Sequence, residues 1–200
     1  MKKTFKQFIQ ELLDRADQPD RCVIVIDGFG GSGKSTFAEK MLEYIPSAGI
    51  VRVDHFYQPI VADEENEFHW ERFEKEALDP LRGDREIRYR PYDWKLKTLQ
   101  DEIVIGEDQN VIVEGVYSTQ EKFRDAYDIT IWIDVPDGVR LERGIARDGE
   151  LMRQMWENVW IPYTKKYMAE HRPDRSADIV IDGAASDFDA DCIVVREVSV

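Results

Sequence analysis

The sequence predicts an α/β fold in which a five-stranded, mainly parallel sheet is flanked by helices. Apolar, β-branched runs recur along the 200-residue chain, and helical patterns separate them. Continuous apolar strands of this kind are typical of parallel sheets that are covered on both faces. A glycine-dense turn follows the first run, which gives the strand, loop and helix order of a phosphate-binding loop. The predicted strands cover residues 23–27, 50–53, 110–115, 129–134 and 177–181.

Length and charge limit the classes of protein to consider. Two hundred residues with 42% hydrophobic content suit a single domain over 1–200 with a sizeable core. A net charge of -14 argues against a nucleic-acid polymer or an acidic membrane as partner, because phosphate groups repel such a surface. No apolar run is long enough to cross a bilayer, and the amphipathic start differs from a signal-peptide core. We therefore expect a cytoplasmic protein whose partner is a small molecule, and the sequence leaves a homo-oligomer open.

The first element is predicted to be an amphipathic helix over residues 1–18. Apolar residues recur there at helical spacing, with charged residues between them. This pattern favours a helix that packs on the domain over a helix that binds a partner. Pro19 ends the helix, and the first strand follows it.

Residues 28–35 match the G-x-x-x-x-G-K-[ST] pattern of a phosphate-binding loop. Glycines lack a Cβ, so successive backbone N–H groups of such a loop can turn inward around phosphate oxygens. Lys34 adds a positive charge, and the positive end of the next helix faces the same phosphates. Ser35 can place its hydroxyl on Mg²⁺, so the sequence predicts a bound triphosphate with its ion. The predicted phosphate contacts are Gly28, Gly30, Gly31, Ser32, Gly33, Lys34, Ser35 and Thr36.

Asp54 follows the second predicted strand directly. In open α/β sheets ligands bind at the carboxyl ends of the strands, so its side chain is expected to point into a site. A carboxylate there can accept the proton of an attacking hydroxyl. The alternative is a carboxylate that only caps its own loop.

Residues from about 60 to 105 are predicted to form a small insertion on the substrate side. A helix that ends near Gly83 is followed by two short strands with a turn between them. Arg88 lies on the first of these strands and is a candidate contact for an anionic substrate, with a solvated charge as the alternative. Tyr92 and Trp94 lie in the turn, where either substrate contact or plain packing fits them.

The strand over 110–115 carries a carboxylate close to its end. Mg²⁺ takes hard oxygen ligands and keeps several waters, so Glu114 can reach the ion directly or through water. Ser35 and Glu114 are therefore the predicted metal-binding residues.

An arginine-bearing lid is predicted over residues 140–152. Arg143 and Arg147 are one helical turn apart, so both side chains can reach one anion. In related chemistry an arginine on the transferring phosphoryl group is worth roughly 10³ to 10⁵ in rate. The alternative is a surface helix whose arginines pair with Glu142 and Asp148.

The last third of the chain is predicted to complete the sheet. Residues 151–170 are expected to be helical with a break at Pro162, and residues 192–198 to add an edge strand. The loop over 182–185 follows the last parallel strand and lies on the ligand edge. The large apolar residues of the helix are interpreted as core: Met152, Met155, Trp156, Val159 and Trp160.

Six motifs in one order resemble the uridine kinase-like group of P-loop kinases. That group also includes nicotinamide riboside kinases, pantothenate kinase and phosphoribulokinase. The resemblance covers nearly the whole chain after the first helix. The motifs are GFGGSGKS at 28–35, DHFY at 54–57, PYDW at 91–94, VIVEG at 111–115, RLERGIARD at 140–148 and ADIVIDG at 177–183.

The resemblance implies a role for each matched position. Asp54 would act as the base on the acceptor hydroxyl, and Glu114 would help to hold Mg²⁺. Arg143 and Arg147 would bind the moving phosphates, and the loop over 182–184 would lie beside adenine. The candidate adenine contacts are then Asp182 and Gly183. The candidate substrate contacts are Asp54, Tyr57, Arg88 and Tyr92.

Two positions depart from the family pattern. Lys97 stands where a uridine kinase carries a histidine near the nucleobase, and residues 148–150 replace a longer lid with a further arginine. The sequence therefore predicts an ATP- and Mg²⁺-dependent kinase that phosphorylates a hydroxyl of a small metabolite, with a nucleoside as the leading acceptor. Nicotinamide riboside, pantothenate or a sugar are the alternative acceptors. A regulatory P-loop NTPase without a small acceptor and a binding module without catalysis are the alternative functions.

Overall fold

The computed structural model describes residues 1–15, 21–57 and 68–198, and the elements below refer to those residues. The strands are β1 (Lys2–Lys3), β2 (Val23–Gly28), β3 (Ala48–Arg52), β4 (Ile87–Tyr89), β5 (Tyr92–Asp93), β6 (Thr98–Leu99), β7 (Ile103–Ile105), β8 (Asn110–Glu114), β9 (Ile129–Asp134), β10 (Ile179–Asp182) and β11 (Ile193–Val198). The α-helices are α1 (Phe5–Arg15), α2 (Lys34–Leu42), α3 (Trp70–Phe73), α4 (Asp79–Arg82), α5 (Asp137–Asp148), α6 (Arg153–Met155), α7 (Ile161–His171) and α8 (Pro173–Ser176).

The central sheet has the strand order β1-β11-β10-β9-β2-β8-β3. The five strands from β10 to β3 are parallel, which confirms the predicted α/β class. β11 pairs antiparallel with β10 and is the edge strand expected over 192–198. With β1 at the far edge the sheet has seven strands: the five predicted for the parallel sheet, the expected edge strand, and β1, which was not predicted.

The prediction that the first helix starts at residue 1 is wrong. Lys2 and Lys3 pair with β11, and α1 begins at Phe5. Thr4 Oγ1 accepts the Gln7 N–H at 3.2 Å, and Gln7 Oε1 accepts the Thr4 N–H at 3.0 Å. This reciprocal capping box fixes the start of the helix and leaves the two lysines free to pair as a strand.

Helices and loops cover both faces of the sheet. Within β2, Ile24 and Ile26 pack on the side of α1 and α2, whereas Val23 and Val25 pack on the opposite side. This alternation follows the two-residue period of a strand, and it gives the sheet an apolar core on each face. The described helices include none with the length and apolar character that crossing a membrane would need.

The described part of the insertion has the predicted helix and the two predicted strands, and it adds a short hairpin where only a turn was expected. α3, a π-helical turn over Glu74–Leu78 and α4 form one helical segment that stops at Gly83. β4 pairs antiparallel with β7, and β5 pairs antiparallel with β6. The charged stretch at 63–67 lies outside the described residues.

The predicted break at Pro162 takes the form of a change in helix type. A π-helical turn over Trp156–Trp160 comes directly before α7, which has the proline in its first turn. Proline has no N–H to donate to the preceding turn, so a wider turn before it accommodates the missing bond.

Candidate active site

The phosphate-binding loop connects β2 to α2 at the carboxyl edge of the sheet. β2 lies between β8 and β9, so the loops after all three strands meet there. Gly31 and Gly33 have φ values of 78° and 95°, in the left-handed region that favours glycine. A Cβ at Gly31 would also lie 2.6 Å from the Arg140 carbonyl oxygen. The loop therefore needs glycine both for its turn and for its close contact with α5.

Lys34 begins α2 and its side chain is almost fully buried. The ammonium donates a hydrogen bond to the Phe29 carbonyl oxygen at 3.1 Å, inside the loop. Burial lowers the pKa of this ammonium, and the carboxylates of Glu114, Asp27 and Asp54 oppose the shift. A cation held inside a glycine-rich loop at a helix start suits a phosphate oxygen.

Glu114 ends β8 and is buried beside the start of α2. Its two carboxylate oxygens each lie 3.3 Å from Ser35 Oγ, and Arg52 donates to Oε1 at 2.8 Å. Burial raises the pKa of Glu114, while Lys34 and Arg52 oppose the rise. A hydroxyl and a carboxylate this close together present the hard oxygen atoms that Mg²⁺ prefers, so the pair fits the ion.

Asp54 lies in the 3₁₀ turn Val53–Phe56 that follows β3. Its side chain is exposed, unlike those of Asp27 and Glu114. Within residues 1–15, 21–57 and 68–198 its carboxylate accepts no hydrogen bond that would make it a loop cap. The structure thus leaves this carboxylate facing the cleft.

Three neighbouring cavities lie along this edge of the sheet. The phosphate-loop cavity has about 400 Å³ and is lined by loop residues together with Asp54, Glu114, Arg143 and Arg147. The tryptophan cavity has about 530 Å³ and is lined by Trp94, Trp156 and Trp160 among others. The C-terminal-loop cavity has about 540 Å³ and is lined mainly by residues 183–189.

Shared residues show that these cavities adjoin. Asp54 and Arg147 line both the phosphate-loop cavity and the tryptophan cavity. Thr36 and Arg143 line both the phosphate-loop cavity and the C-terminal-loop cavity. The three cavities therefore form one cleft with the phosphate-binding loop in the middle.

The tryptophan cavity corrects the interpretation of residues 152–160 as core alone. Trp156 is only 2% exposed, yet one side of its ring faces the cavity together with Met152 and Trp160. A Cβ at Gly144 would lie 2.3 Å from the Trp156 ring, and a Cβ at Gly30 would lie 2.9 Å from it. The two glycines therefore let this tryptophan wedge between the lid helix and the phosphate-binding loop.

The lid helix α5 brings Arg140, Arg143 and Arg147 to the cleft. Arg143 donates to the carbonyl oxygens of Gly31 at 3.4 Å and Gly183 at 3.0 Å, which links the two loops beside it. Arg147 donates from Nε and Nη2 to the Asp148 carboxylate at 2.7 and 3.0 Å. This is the ion pair that the alternative interpretation expected, although Arg147 also lines two of the cavities.

The candidate substrate residues of the insertion are only partly brought to the cleft. Trp94 lines the tryptophan cavity, and the Tyr57 ring stacks on the Trp94 ring with their centres 3.5 Å apart. The ring centres of Tyr92 and Tyr57 are 5.8 Å apart, and neither tyrosine lines any of the three cavities. Arg88 is exposed and pairs with acidic neighbours of its own hairpin, and it lines none of the three cavities.

Lys97 likewise lines none of the three cavities; it is exposed in the turn between β5 and β6. The cavity wall nearest this hairpin is instead formed by Trp94.

The candidate cofactor residues divide into those that line cavities and those that support them. Gly183 lines the C-terminal-loop cavity, whereas Asp182 Oδ1 caps its own loop by accepting the N–H groups of Ala184 and Ala185. The Ser32 side chain is fully buried, and Gly28 packs against β9. The loop residues that line the phosphate-loop cavity are Gly30, Gly31, Gly33, Lys34, Ser35 and Thr36.

Sequence reasoning assigned no role to Arg140, Arg52 or Asp27, and it expected Asp148 only as an ion-pair partner of the lid arginines. Arg140 is buried with its guanidinium 4.2 Å from the Phe29 ring centre, and it lines the tryptophan cavity. Arg52 pairs with Glu114, and Asp148 accepts from both Arg147 and the Trp156 indole. Asp27 lies buried under the loop. Arg140 and Asp148 belong to the motif at 140–148, and Asp27 directly precedes the motif at 28–35. Their position in or beside these motifs is the feature of the sequence that could have indicated a role in the cleft.

Comparison with known proteins gives the following similarities. The chain is 32% identical over 142 residues to the uridine kinase of Borreliella burgdorferi, a match that covers 63% of this chain and 66% of that protein. It is 30% identical over 155 residues to the uridine kinase of Borrelia duttonii, covering 72% of this chain and 75% of that protein. The chain thus spans about two thirds of the length of the first of these relatives. No protein-family model matches it.

A solved structure supports the fold. The structure of a possible uridine kinase from Bacillus stearothermophilus superposes with a TM-score of 0.68 at 19% sequence identity. The superposition covers 88% of this chain and 96% of that chain.

Proposed function

Since the chain belongs to the uridine kinase-like family of P-loop kinases, which act on small molecules, we propose that it transfers the γ-phosphoryl group of ATP to a hydroxyl of a small acceptor with the help of Mg²⁺. One observation carries this proposal. Asp54 and Arg147 line both the phosphate-loop cavity and the tryptophan cavity, so a candidate base and a candidate phosphate ligand stand where the two meet. A transfer between two ligands needs its chemical groups at such a boundary.

The nucleotide is proposed to occupy the phosphate-loop and C-terminal-loop cavities. Lys34 and the N–H groups of the loop would bind the phosphates, and Gly183 would lie beside the base. Ser35 and Glu114 would hold Mg²⁺, with phosphate oxygens and waters as its further ligands. When bound, the ion neutralises negative charge on the phosphates and fixes their orientation.

The acceptor is proposed to lie in the tryptophan cavity with its hydroxyl towards Asp54. In the transfer, a bond forms between the hydroxyl oxygen and the γ-phosphorus, and the bond from that phosphorus to the β–γ bridging oxygen breaks. Asp54 accepts the hydroxyl proton, while Arg143 and Arg147 stabilise the charge on the moving phosphoryl group. Most of the catalysis would then come from positioning and from charge stabilisation.

A nucleoside is the proposed acceptor. Aromatic side chains dominate the wall of the tryptophan cavity, and a planar base can stack on them. Nicotinamide riboside also carries a planar ring and is the second choice, whereas pantothenate and simple sugars have no planar aromatic ring. The aromatic lining residues are Phe68, Trp94, Tyr117, Trp156 and Trp160.

The deciding experiment is ATP consumption by the purified chain with a panel of nucleosides, nicotinamide riboside, pantothenate and sugars, with product masses as readout. We expect a phosphorylated nucleoside, and none with Lys34→Ala. The matched control is Lys40→Ala, which removes a partly exposed lysine of the same helix that is paired with Glu43 and should keep full turnover. ATP hydrolysis that is independent of every acceptor would point to a regulatory NTPase instead.

A further inference from the structure

A buried carboxylate lies directly beneath the phosphate-binding loop. Asp27 is the residue before Gly28 in β2 and is completely buried. Its Oδ1 accepts the Gly28 N–H at 2.6 Å. Its Oδ2 accepts the N–H of Thr119 at 3.0 Å and the hydroxyls of Thr119 and Tyr167, each at 2.6 Å. One side chain therefore joins three segments that lie far apart in the sequence.

The two backbone donors make this site specific for a carboxylate. A backbone N–H can only donate, and one such group points at each oxygen of Asp27. An asparagine in either amide orientation would turn its NH₂ group towards one of them. Burial raises the pKa of Asp27, and the hydrogen bonds from Thr119 and Tyr167 oppose that rise.

The segment held by Thr119 forms a wall of the tryptophan cavity. Val116 and Tyr117 line that cavity, and Tyr117 has a φ of 69°, which is rare for a bulky residue. Ser118 Oγ donates to the Gly115 carbonyl oxygen at 2.9 Å and tightens the turn. An uncommon backbone conformation persists only where the surrounding contacts determine it, and Thr119 bound to Asp27 supplies such a contact.

Tyr167 ties the third segment to the same point. The centre of its ring lies 4.9 Å from that of the Tyr117 ring, in an edge-to-face arrangement, and its hydroxyl donates a hydrogen bond to Asp27. Tyr167 belongs to α7, which continues from the helical turn that carries Trp156 and Trp160. Two walls of the tryptophan cavity and the start of the phosphate-binding loop therefore meet at one carboxylate.

We propose that Asp27 is a positioning residue that holds the phosphate-binding loop and the acceptor wall around Tyr117 in register, so that phosphate and acceptor hydroxyl meet at the correct distance. Asp27 has no contact with the ligands, and its effect passes through Gly28, Thr119 and Tyr167. This inference rests on the proposed function for the identity of the two ligands.

The test compares Asp27→Asn with Asp178→Asn. Asp178 is a matched control, because its Oδ2 accepts both the N–H and the hydroxyl of Thr130 at 2.7 Å, at the opposite edge of the sheet. Both variants should lower Tm. Only Asp27→Asn should raise the Kd for ATP, measured by calorimetry without acceptor, and the KM for the acceptor, each by about tenfold.

A second pair of variants covers the case in which Asp27→Asn does not fold. Thr119→Val removes the hydroxyl that donates a hydrogen bond to Asp27, and Thr119→Ser retains that hydroxyl. We expect weaker binding of both ligands by Thr119→Val and near-normal binding by Thr119→Ser. Normal Kd and KM values in Asp27→Asn or Thr119→Val, with only Tm lowered, would overturn the inference and make the network an ordinary structural one.

Hydrogen exchange separates failure of this inference from failure of the proposed function. In Asp27→Asn, exchange should accelerate in peptides that cover both 28–36 and 115–119, whereas in Asp178→Asn it should accelerate only around residues 130 and 178. This readout needs no substrate. If the wild-type chain bound no ATP, the proposed function would fall, and the exchange pattern would still decide whether Asp27 couples the two segments.

Discussion

Asp54 differs in exposure from the other carboxylates near the phosphate-binding loop. Asp27 and Glu114 are buried, and burial raises the pKa of each. Asp54 is exposed and lines both the phosphate-loop and tryptophan cavities. A carboxylate in this position can take a proton from a ligand and return it to water, which the buried pair cannot do without leaving their partners.

Asp54→Asn should abolish phosphoryl transfer and spare ATP binding. A carboxamide has nearly the same size as a carboxylate but cannot accept the proton, and loss of general-base catalysis typically costs about 10² to 10⁴ in rate. The measurement is kcat for transfer together with the Kd for ATP. Asp128→Asn is the control, because Asp128 caps the Val23 N–H at 2.7 Å at the other end of β2. Transfer at the wild-type rate by Asp54→Asn would remove Asp54 from the chemistry.

His55 gives the folded protein a specific sensitivity to acid. Burial lowers the pKa of His55 to about 4, with Arg52 and Arg72 adding to the effect, and Nδ1 lies 2.9 Å from the Tyr89 hydroxyl. As the pH falls, the ring is protonated in the unfolded chain before it is protonated in the folded chain. The contribution of His55 to the free energy of unfolding is therefore complete above the unfolded pKa of about 6.5 and is lost as the pH falls towards about 4.

Acidification from about pH 7.5 to about pH 4.5 should therefore lower Tm more in the wild type than in His55→Gln. The ring is only half-buried, so solvent screening limits the difference to about 1 kcal/mol, or about 3 °C for a chain of this length. Thermal melts of both proteins at the two pH values measure it. Equal losses of Tm in the two proteins would mean that the pKa of His55 does not differ between the folded and the unfolded chain. His55 would then play no part in the acid response.

The lid helix α5 is fixed on one side and open on the other. Gly144 lets Trp156 pack against it, and Arg140 is buried at its base. Arg143 and Arg147 extend from the helix into the cleft between the cavities. Arg147 is held by Asp148, and Asp148 also accepts from the Trp156 indole at 3.0 Å, so the guanidinium is oriented before a ligand arrives.

Arg143→Lys and Arg147→Lys should lower kcat more than Tm. Lysine keeps the charge but loses the planar fork that engages two phosphate oxygens, so we expect a fall in kcat of about tenfold or more. Arg153→Lys is the control, since Arg153 forms comparable exposed ion pairs with Glu150 and Glu157 outside the cleft. Unchanged kcat with a lowered Tm would make the lid arginines a surface salt-bridge device.

The elements were predictable wherever a local pattern fixes them. The apolar runs gave the five parallel strands, and the carboxyl-edge rule brought Asp54 and Glu114 to the phosphate-binding loop. The capping box at Thr4 and Gln7 was also readable from sequence and would have corrected the start of α1. Local signals of this kind act over three or four residues.

Contacts between distant segments could not be predicted. Trp156 fits the periodicity of a core helix, and only its approach to Gly30 and Gly144 turns part of its ring into a cavity wall. Asp27 meets Tyr167 across 140 residues, and neither position carries a spacing that indicates the other. Such contacts depend on the strand order, which sequence periodicity does not define.

Charge is distributed unevenly over the molecule. The chain carries a net charge of -14, yet the cleft collects positive side chains around the phosphate-binding loop. Lys34, Arg143 and Arg147 line the phosphate-loop cavity, and Arg52 stands beside Glu114. On the proposed function, ATP would therefore meet a repulsive field at long range and an attractive one only after it had entered the cleft.

Added salt should accordingly speed the association of ATP. The Debye length falls from about 30 Å at about 10 mM salt to about 8 Å at about 150 mM, so salt screens the distant negative surface more completely than the contacts inside the cleft. We expect the association rate constant, measured by stopped-flow fluorescence, to rise roughly threefold over this range, opposite to the usual behaviour of electrostatically steered ligands. The proposed acceptor, an uncharged nucleoside, is the matched control, since its association should not respond to salt. A rate constant for ATP that falls with salt would mean that the field of the cleft arginines extends beyond its mouth and outweighs the net charge of the chain.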